Sequence, residues 1–437
     1  MEWIRRPCLV LASTGLLGVT AAACYREPAL PTDHCTLRSR PTVPIRAMCG
    51  SRPPRFTSIA VSNHVQARRV RTPVTSDVDG DQRPELLILS PSLELSVQAW
   101  REAGGFGLLD RNALDPGPAT PNGFRSAAPT VLPGDVDEDG WSDLTLCWPW
   151  LGKSECWTWL RRREGGYRKG VRAVLATATD QSFEPRGIGD FNCDGHLDIV
   201  GVQRTDRRFQ WRVRIGNGVG DFAEAAQTPW ETSDPRFQAP GATTIADVNG
   251  DGNPDLVGYY PRSYTPDLRD TGRVGVSLGT ILGVFHPLVA IEPELLWSGL
   301  TAGDLDGDGR DEIIARRPAL GTGWDLVPPD ATAFSRFDDG SYHQVQNAPD
   351  PFGRIVQAER DLHLGRFSCP DRLDLLSGGR GLLRTDARGQ LQPAIELPKE
   401  IVGVRAVADF NQDGLDDLLA LDYQEEQVTV WLNQTPQ

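Results

Sequence analysis

DVNGDGNPDL, residues 247–256, is the best formed of seven related stretches in this chain. The others are DVDGDQRPEL from Asp77, DVDEDGWSDL from Asp135, DFNCDGHLDI from Asp190, DLDGDGRDEI from Asp304, DFNQDGLDDL from Asp409 and a decayed copy, RFSCPDRLDL, from Arg366. Over most of the sequence the copies begin about 57 residues apart, and a steady period of that size marks one supersecondary unit repeated in tandem.

Each intact copy places carboxylate or amide oxygens at loop positions one, three and five, usually a glycine at six, and another carboxylate at nine. In chain order these are Asp77, Asp79, Asp81 and Glu85; Asp135, Asp137, Asp139 and Asp143; Asp190, Asn192, Asp194 and Asp198; Asp247, Asn249, Asp251 and Asp255; Asp304, Asp306, Asp308 and Glu312; and Asp409, Asn411, Asp413 and Asp417. Such a donor set suits Ca²⁺, a hard cation that takes about six to eight oxygens, one of which a backbone carbonyl near position seven can supply. Six intact loops imply about six Ca²⁺. An EF-hand opens in the same way but needs a bidentate Glu at position twelve and a helix on each side. Here position twelve is Ile88, Leu146, Gly201, Gly258, Ala315 or Ala420, within short runs that read as strands.

Asp, Asn and Gly also populate plain hairpin turns, because their side chains cap turns and tolerate left-handed backbone. Turn preference alone does not explain three or four carboxylates converging on one tight turn, where they repel one another unless a cation is present. The copy at Asp77 departs from the pattern with Gln82 in place of glycine and Glu85 at position nine. The copy at Arg366 puts Arg366, Ser368 and Pro370 at the first three ligand positions and keeps only Asp374, so it reads as a metal-free remnant.

Short apolar runs follow each loop, among them LLIL from Leu86, IVGV from Ile199 and LLAL from Leu418. Bounded by turn residues, they read as strands. A second strand follows in each unit, clearest from Phe209 and from Val428. Just before each loop stands a small residue: Ser76, Gly134, Gly189, Ala246, Gly303, Gly365 or Ala408. Small residues at one fixed place suit a strand that closely approaches its symmetry mates. The expected fold is all-β, a seven-bladed β-propeller with four-stranded antiparallel blades. Only two strands follow the last loop, 417–422 and 427–433, and an extra strand at 57–62 precedes the first. Pairing of that amino-terminal strand with the last blade would close the ring and cover its edge.

The D-x-[DN]-x-D-G-x-x-D loops are accompanied by a Gly-rich turn with an aromatic after the next strand: Gly104-Gly-Phe106, Gly165-Gly-Tyr167, the segment from Gly216 to Phe222 and that from Gly279 to Phe285. Together they resemble the FG-GAP and VCBS repeats, the calcium-loop β-propellers typified by the integrin alpha-chain head. The resemblance spans residues 55–437 and implies the propeller fold and calcium. It says little of biological role, since such propellers serve as adhesion heads, receptor parts and appendages to enzymes. Two departures stand out, the degenerate sixth loop and an insertion at 317–360 rich in Pro, Asp and Gly.

The amino terminus carries an export signal. A basic leader, MEWIRR, precedes an apolar stretch at 9–23 that is too short for an ordinary membrane span. TAAAC, ending at Cys24, is similar to a bacterial lipobox in which the cysteine is lipidated, with Ala21 where Leu is favoured. Lipidation at Cys24 and cleavage near Ala23 by a general signal peptidase both remain open. Residues 1–24 are thus the signal, residues 25–54 a Pro-rich tether, and 55–437 the propeller. The chain is expected outside the cytoplasm, in a bacterial cell envelope or secreted, with membrane contact only through a lipid at Cys24. Cys35 with Cys49 and Cys147 with Cys156 are candidate disulfides for an oxidising compartment. Cys193 and Cys369 fall in distant blades, where a mutual bond is not expected and two buried free thiols are the simpler reading.

The formal charge of −14 is placed largely at ligand positions, and six Ca²⁺ would bring it close to neutrality. No basic patch supports a nucleic-acid partner. Gly275-Val-Ser-Leu-Gly279 matches the G-x-S-x-G pattern, which requires a strand-to-helix turn that this segment does not promise. The six histidines have no paired metal spacing. The sequence therefore points away from an enzyme and toward a calcium-binding module displaying a surface for a protein or glycan ligand. An accessory or sensor subunit of an envelope complex is the alternative, and a polysaccharide-active enzyme a distant one.

Overall fold

A computed structural model describes residues 54–61, 72–101, 104–114, 129–148, 154–176, 181–205, 208–224, 240–261, 272–295, 299–317, 330–336, 340–349, 362–377, 381–401, 403–422 and 427–434. The chain divides after Asp33, and all described residues belong to the unit His34–Gln437. The signal segment with Cys24, the tether up to residue 53 and the pairing of Cys35 with Cys49 lie outside the described residues.

These residues form 28 strands in seven four-stranded antiparallel sheets, with no helix among them. β1 (Phe56–Ala60) comes first. Blade 1 contains β2 (Thr72–Ser76), β3 (Glu85–Leu89), β4 (Glu94–Trp100) and β5 (Phe106–Ala113), and blade 2 contains β6 (Thr130–Gly134), β7 (Asp143–Trp148), β8 (Ser154–Arg161) and β9 (Tyr167–Ala176). Blade 3 contains β10 (Gln181–Gly189), β11 (Asp198–Thr205), β12 (Arg208–Gly216) and β13 (Phe222–Glu224). Blade 4 contains β14 (Thr243–Ala246), β15 (Asp255–Pro261), β16 (Gly272–Ser277) and β17 (Val289–Leu295). Blade 5 contains β18 (Gly299–Gly303), β19 (Glu312–Arg317), β20 (Asp330–Arg336) and β21 (Tyr342–Pro349), and blade 6 contains β22 (Leu362–Gly365), β23 (Asp374–Ser377), β24 (Gly381–Leu383) and β25 (Ile395–Glu396). Blade 7 contains β26 (Val404–Ala408), β27 (Asp417–Asp422) and β28 (Gln427–Asn433), completed by β1.

The sheets stack face to face in chain order because their second strands are apolar on both sides. In β3 all five residues are buried. Leu87 and Leu89 pack with Leu144, Leu146 and Trp159 of blade 2, whereas Leu86 and Ile88 pack with Leu419, Leu421 and Val430 of blade 7. The same division recurs in β27, where Leu418 faces blade 6 and Leu419 faces blade 1. Seven apolar cores result, each between consecutive sheets. A side chain such as Leu86 contributes about 1.5–3 kcal/mol by leaving water.

Closure follows the expected route. β1 pairs with β28 from Phe56 opposite Asn433 to Ala60 opposite Thr429, and Val61 N donates to Val428 O at 3.0 Å. The closing strand starts and ends slightly earlier than the expected 57–62. Joining the first strand to the last blade leaves no blade with a missing edge.

Two expectations are corrected. The presumed insertion at 317–360 contains β20 and β21, which are the third and fourth strands of blade 5, paired antiparallel with one register shift between Ala333 and Phe334. It looked like an insertion because its Pro- and Gly-rich connections hid short strands. Cys193 and Cys369 are both disulfide-bonded, not free thiols. Gly275-Val-Ser-Leu-Gly279 runs along β16 into a turn with no helix after it among the described residues, and its counterpart in blade 3 ends at Gly216. Gly279 N and Gly216 N each donate to the position-nine carboxylate of their own blade. The candidate pair Cys147 and Cys156 is joined across β7 and β8, with Cα atoms 4.1 Å apart.

Candidate functional site

Every acidic loop joins the first strand of a blade to its second, so seven loops occupy one side of the molecule, here numbered by blade. Their backbone is held by their own carboxylates. In loop 4, Asp247 accepts the N–H groups of Gly250 (2.8 Å), Asp251 (3.1 Å) and Gly252 (2.8 Å), and Asp251 accepts that of Asn253 (2.8 Å). The other intact loops repeat this, with Asp139 accepting Trp141 N at 3.0 Å and Asp308 accepting Arg310 N at 2.8 Å. These bonds turn the carboxylates inward before any ligand binds. Positions four and six are both left-handed: Gly250 at φ 74° and Gly252 at 83°, Glu138 at 59° and Gly140 at 87°, Cys193 at 60° and Gly195 at 90°. Gln82 holds φ 68° at position six, a conformation that glycine adopts without strain and side-chain-bearing residues do not. The requirement at position four was not recognised in the sequence, where glycine appears there only in Gly80, Gly250 and Gly307.

The position-nine carboxylate is buried in every blade, and where it is an aspartate it is tied to the backbone on both sides. Asp143 accepts Val136 N (3.0 Å) and Arg161 N (2.7 Å), Asp198 accepts Phe191 N (3.0 Å) and Gly216 N (2.8 Å), and Asp417 accepts Phe410 N (3.1 Å) and Asn433 N (2.7 Å). Burial pushes Glu85, Asp143, Asp198 and Asp417 up to about 7, and Asp255 and Glu312 up to about 8, with neighbouring loop carboxylates adding to the rise.

Candidate ligand oxygens of Asp77, Asp79 and Glu85 lie within 4.8 Å of one another, as do those of Asp135, Asp137 and Asp143, and of Asp304, Asp306 and Asp308. In loops 3, 4 and 7 an asparagine stands at position three, and its amide donates to the aspartate at five: Asn192 to Asp194 (2.8 Å), Asn249 to Asp251 (2.8 Å) and Asn411 to Asp413 (3.1 Å). A cation fits this arrangement. The test is Asp137, whose Oδ2 lies 3.5 Å from the exposed guanidinium of Arg168 but whose Oδ1 is buried without a hydrogen-bond partner among the described residues, a costly state for a carboxylate oxygen that a cation in the loop would relieve. Asp81, Asp139 and Glu312 fall outside those tight groups, the two aspartates exposed and Glu312 buried beneath its loop.

Loop 6 lacks this frame. No residue from 366 to 374 is left-handed, and Pro370 at position five cannot be, since its ring holds φ near about −65°. Asp374 keeps both backbone bonds, from Ser368 N and Thr385 N, each at 2.8 Å. Arg366 at position one pairs with Asp416 of loop 7 at 3.1 Å.

Neighbouring loops touch at fixed positions. The residue at position seven lies over position four of the preceding loop: Arg83 donates to Gln412 (3.0 Å), His196 pairs with Glu138, and Cys193 meets Asn253 at 3.8 Å. Position eight reaches the start of the preceding loop, as Ser142 does to Ser76 at 2.7 Å. This explains the small residue before each loop, for a Cβ on Gly134 would come within 2.7 Å of Leu197 Cδ1. The aromatic after each Gly-rich turn packs on position two of the preceding loop, with Phe106 5.3 Å from Phe410 and Phe285 6.1 Å from Phe191, ring centre to ring centre.

Residues 158–258, from β8 to β15, match the family model described as FG-GAP-like repeat. The molecule is a seven-bladed β-propeller, and this stretch of it fits FG-GAP-like repeats. Of solved structures, the chain is similar to "BBS1N in complex with ARL6DN, soaked with lead", with 11% identity, TM-score 0.48, and coverage of 86% of this chain and 95% of that one. The mercury-soaked form of the same complex gives 10% identity and TM-score 0.44 over the same shares. No curated protein matches the sequence.

Proposed function

We propose that this FG-GAP propeller is an exported interaction module that takes up about six Ca²⁺ on one face and presents that face to a protein ligand. The observation that carries the calcium reading is the inward-turned set of carboxylates in loops 1, 2, 3, 4, 5 and 7, with the unpartnered Asp137 Oδ1 among them. Asp77, Asp135, Asp190, Asp247, Asp304 and Asp409 and their partners at positions three, five and nine would hold the ions, and loop 6 would hold none. Calcium would supply the charge that these crowded carboxylates lack. An extracellular or envelope location suits sites of this type, which bind in the millimolar range of calcium, and a lipid at Cys24 would tether the propeller there.

A protein ligand is favoured over a glycan by the turns that lean onto the loops. The turn between β16 and β17 crosses loop 3, with Gly283 against Asn192, and its tip carries exposed Ile281 and Leu282, the latter 74% exposed. Val219 stands equally free on the matching turn of blade 3. Exposed aliphatic tips beside a polar loop face fit the apolar centre and polar rim of a protein interface.

Calorimetric titration of the calcium-stripped chain tests the metal reading, with uptake of about six ions expected and no uptake overturning it. Crosslinking at the cell surface with and without calcium tests the ligand. A specific protein adduct that needs calcium and disappears in Leu282→Asp is expected, and adducts unaffected by both would reject this face.

A further inference from the structure

We propose that loops 4 and 5 bind calcium cooperatively, and that Asp311 is the positioning residue that couples them. The proposal rests on the calcium reading above. Asp311 stands at position eight of loop 5, next to Arg310, whose carbonyl is the backbone donor expected at position seven. Its carboxylate accepts Asp247 N of loop 4 at 2.9 Å, and its own N–H donates to Asp247 O, also at 2.9 Å. The two bonds form a closed bridge between the residue before the ligand Glu312 and the first ligand of the neighbouring loop.

Other contacts make this bridge a mechanical link. The Arg310 side chain lies over Gly250, where an added Cβ would come within 3.0 Å of Arg310 Cγ. Asp247 in turn gathers three N–H groups of loop 4, so its orientation sets the shape of that whole loop. Asp311 also feels the charges of both Asp247 and Asp304. Ordering loop 5 therefore fixes residues 310 and 311, which fixes Asp247 and prepares loop 4; by linkage the reverse holds with equal strength. The same bridge recurs between blades 6 and 7, where Asp416 accepts Arg366 N at 2.7 Å and donates to Arg366 O at 2.9 Å. That recurrence marks the bridge as a feature of the fold, but there it joins loop 7 to a loop without ligands. Loop 7 meets loop 1 through the exposed contact of Arg83 with Gln412, and position eight of loop 1 is Pro84, which has no polar side chain.

The experiment is a calcium-binding isotherm on the full chain by flow dialysis. Asp308→Ala in loop 5 should remove one site and weaken a second by about fivefold or more, and Asp251→Ala in loop 4 should do the same by the same factor. In an Asp311→Ala background each substitution should remove one site and leave the others as in that parent. Asp311→Asn, which keeps an oxygen to accept Asp247 N, should restore the second effect. Asp413→Ala in loop 7 should remove one site and weaken none. Loss of one site with no second effect in Asp308→Ala, unequal factors in the two directions, or persistence of the effect in Asp311→Ala would overturn the coupling while leaving the calcium reading intact. No calcium uptake by the unmodified chain would overturn both.

Discussion

Loop 4 holds Asp247, Asn249, Asp251 and Asp255 on a backbone with two left-handed glycines, whereas loop 6 has Arg366, Ser368 and Pro370 in the corresponding places, no left-handed residue, and Asp374 alone. What survives in loop 6 is informative. Asp374 accepts Ser368 N and Thr385 N much as Asp255 accepts Val248 N (3.0 Å) and Gly279 N (2.7 Å). The position-nine carboxylate thus has a task separate from any metal: it ties the loop to the third strand of its blade. The carboxylates at positions one and five hold only the turn of their own loop, and loop 6, which lacks them, lacks the left-handed turn as well. Where crowded carboxylates would need a cation, loop 6 supplies an internal one, Arg366, facing Asp416.

Chelation should have the largest effect, and it should act on loops of the first kind only. Sites with dissociation constants around 10⁻⁴ to 10⁻³ M gain about 1.4 kcal/mol each at tenfold excess calcium. Six independent sites would sum to roughly 8 kcal/mol, similar to the whole stability of an ordinary domain. The melting temperature in EDTA should drop by many degrees, and an unchanged melt would remove the distinction between the two kinds of loop. The pH dependence should also change sign. Without metal, the position-nine carboxylates are raised to about 7 or 8 in the folded chain, above the ordinary carboxylate value, so the folded state binds protons that the unfolded state has released. Their stabilising contribution is complete below the unfolded value and is lost as pH rises through the folded one. In EDTA the melt should therefore fall from pH 5 to pH 8. In calcium it should hold or rise, because binding requires the deprotonated carboxylates.

Removal of the shared carboxylate should come next. Asp374→Ala and Asp255→Ala each strand two backbone N–H groups, so in EDTA both should destabilise by about 2–6 kcal/mol, from roughly 1–3 kcal/mol per unsatisfied group. In calcium only Asp255→Ala should lose a site. Denaturant unfolding in both conditions measures this. A harmless Asp374→Ala would show that loop 6 retains its acid for no structural reason.

The smallest contrast lies at position five. Asp251→Ala removes an expected ligand and should lower stability in calcium by about 1–3 kcal/mol, with much less effect in EDTA. Pro370→Ala, at the same place in loop 6, should leave calcium stoichiometry unchanged and stability within about 0.5 kcal/mol, as for a surface change. Equal loss of calcium in both variants would make loop 6 a working site.

The repeat period, the ligand pattern and the apolar runs were enough to read the number of blades and the degenerate loop, because each depends on residues close together in sequence; the closing strand, which pairs across the whole chain, was legible only from the strand missing after the last loop and the spare one before the first. Position twelve did fall in the second strand of every intact blade, from Ile88 in β3 to Ala420 in β27. Blade 5 was harder, since its third and fourth strands are separated by irregular connections and only pairing with β19 reveals them. The role of Asp311 and of Asp416 was not legible at all. Each of these acts on the neighbouring blade, tens of residues away in sequence, and loop position eight shows no common residue type: Pro84, Ser142, Leu197, Pro254, Asp311, Leu373 and Asp416. Local chemistry determined what each loop can hold; the closed stacking of sheets alone decided which loops touch, because contact between blades is set by the ring and not by the order of residues within a repeat.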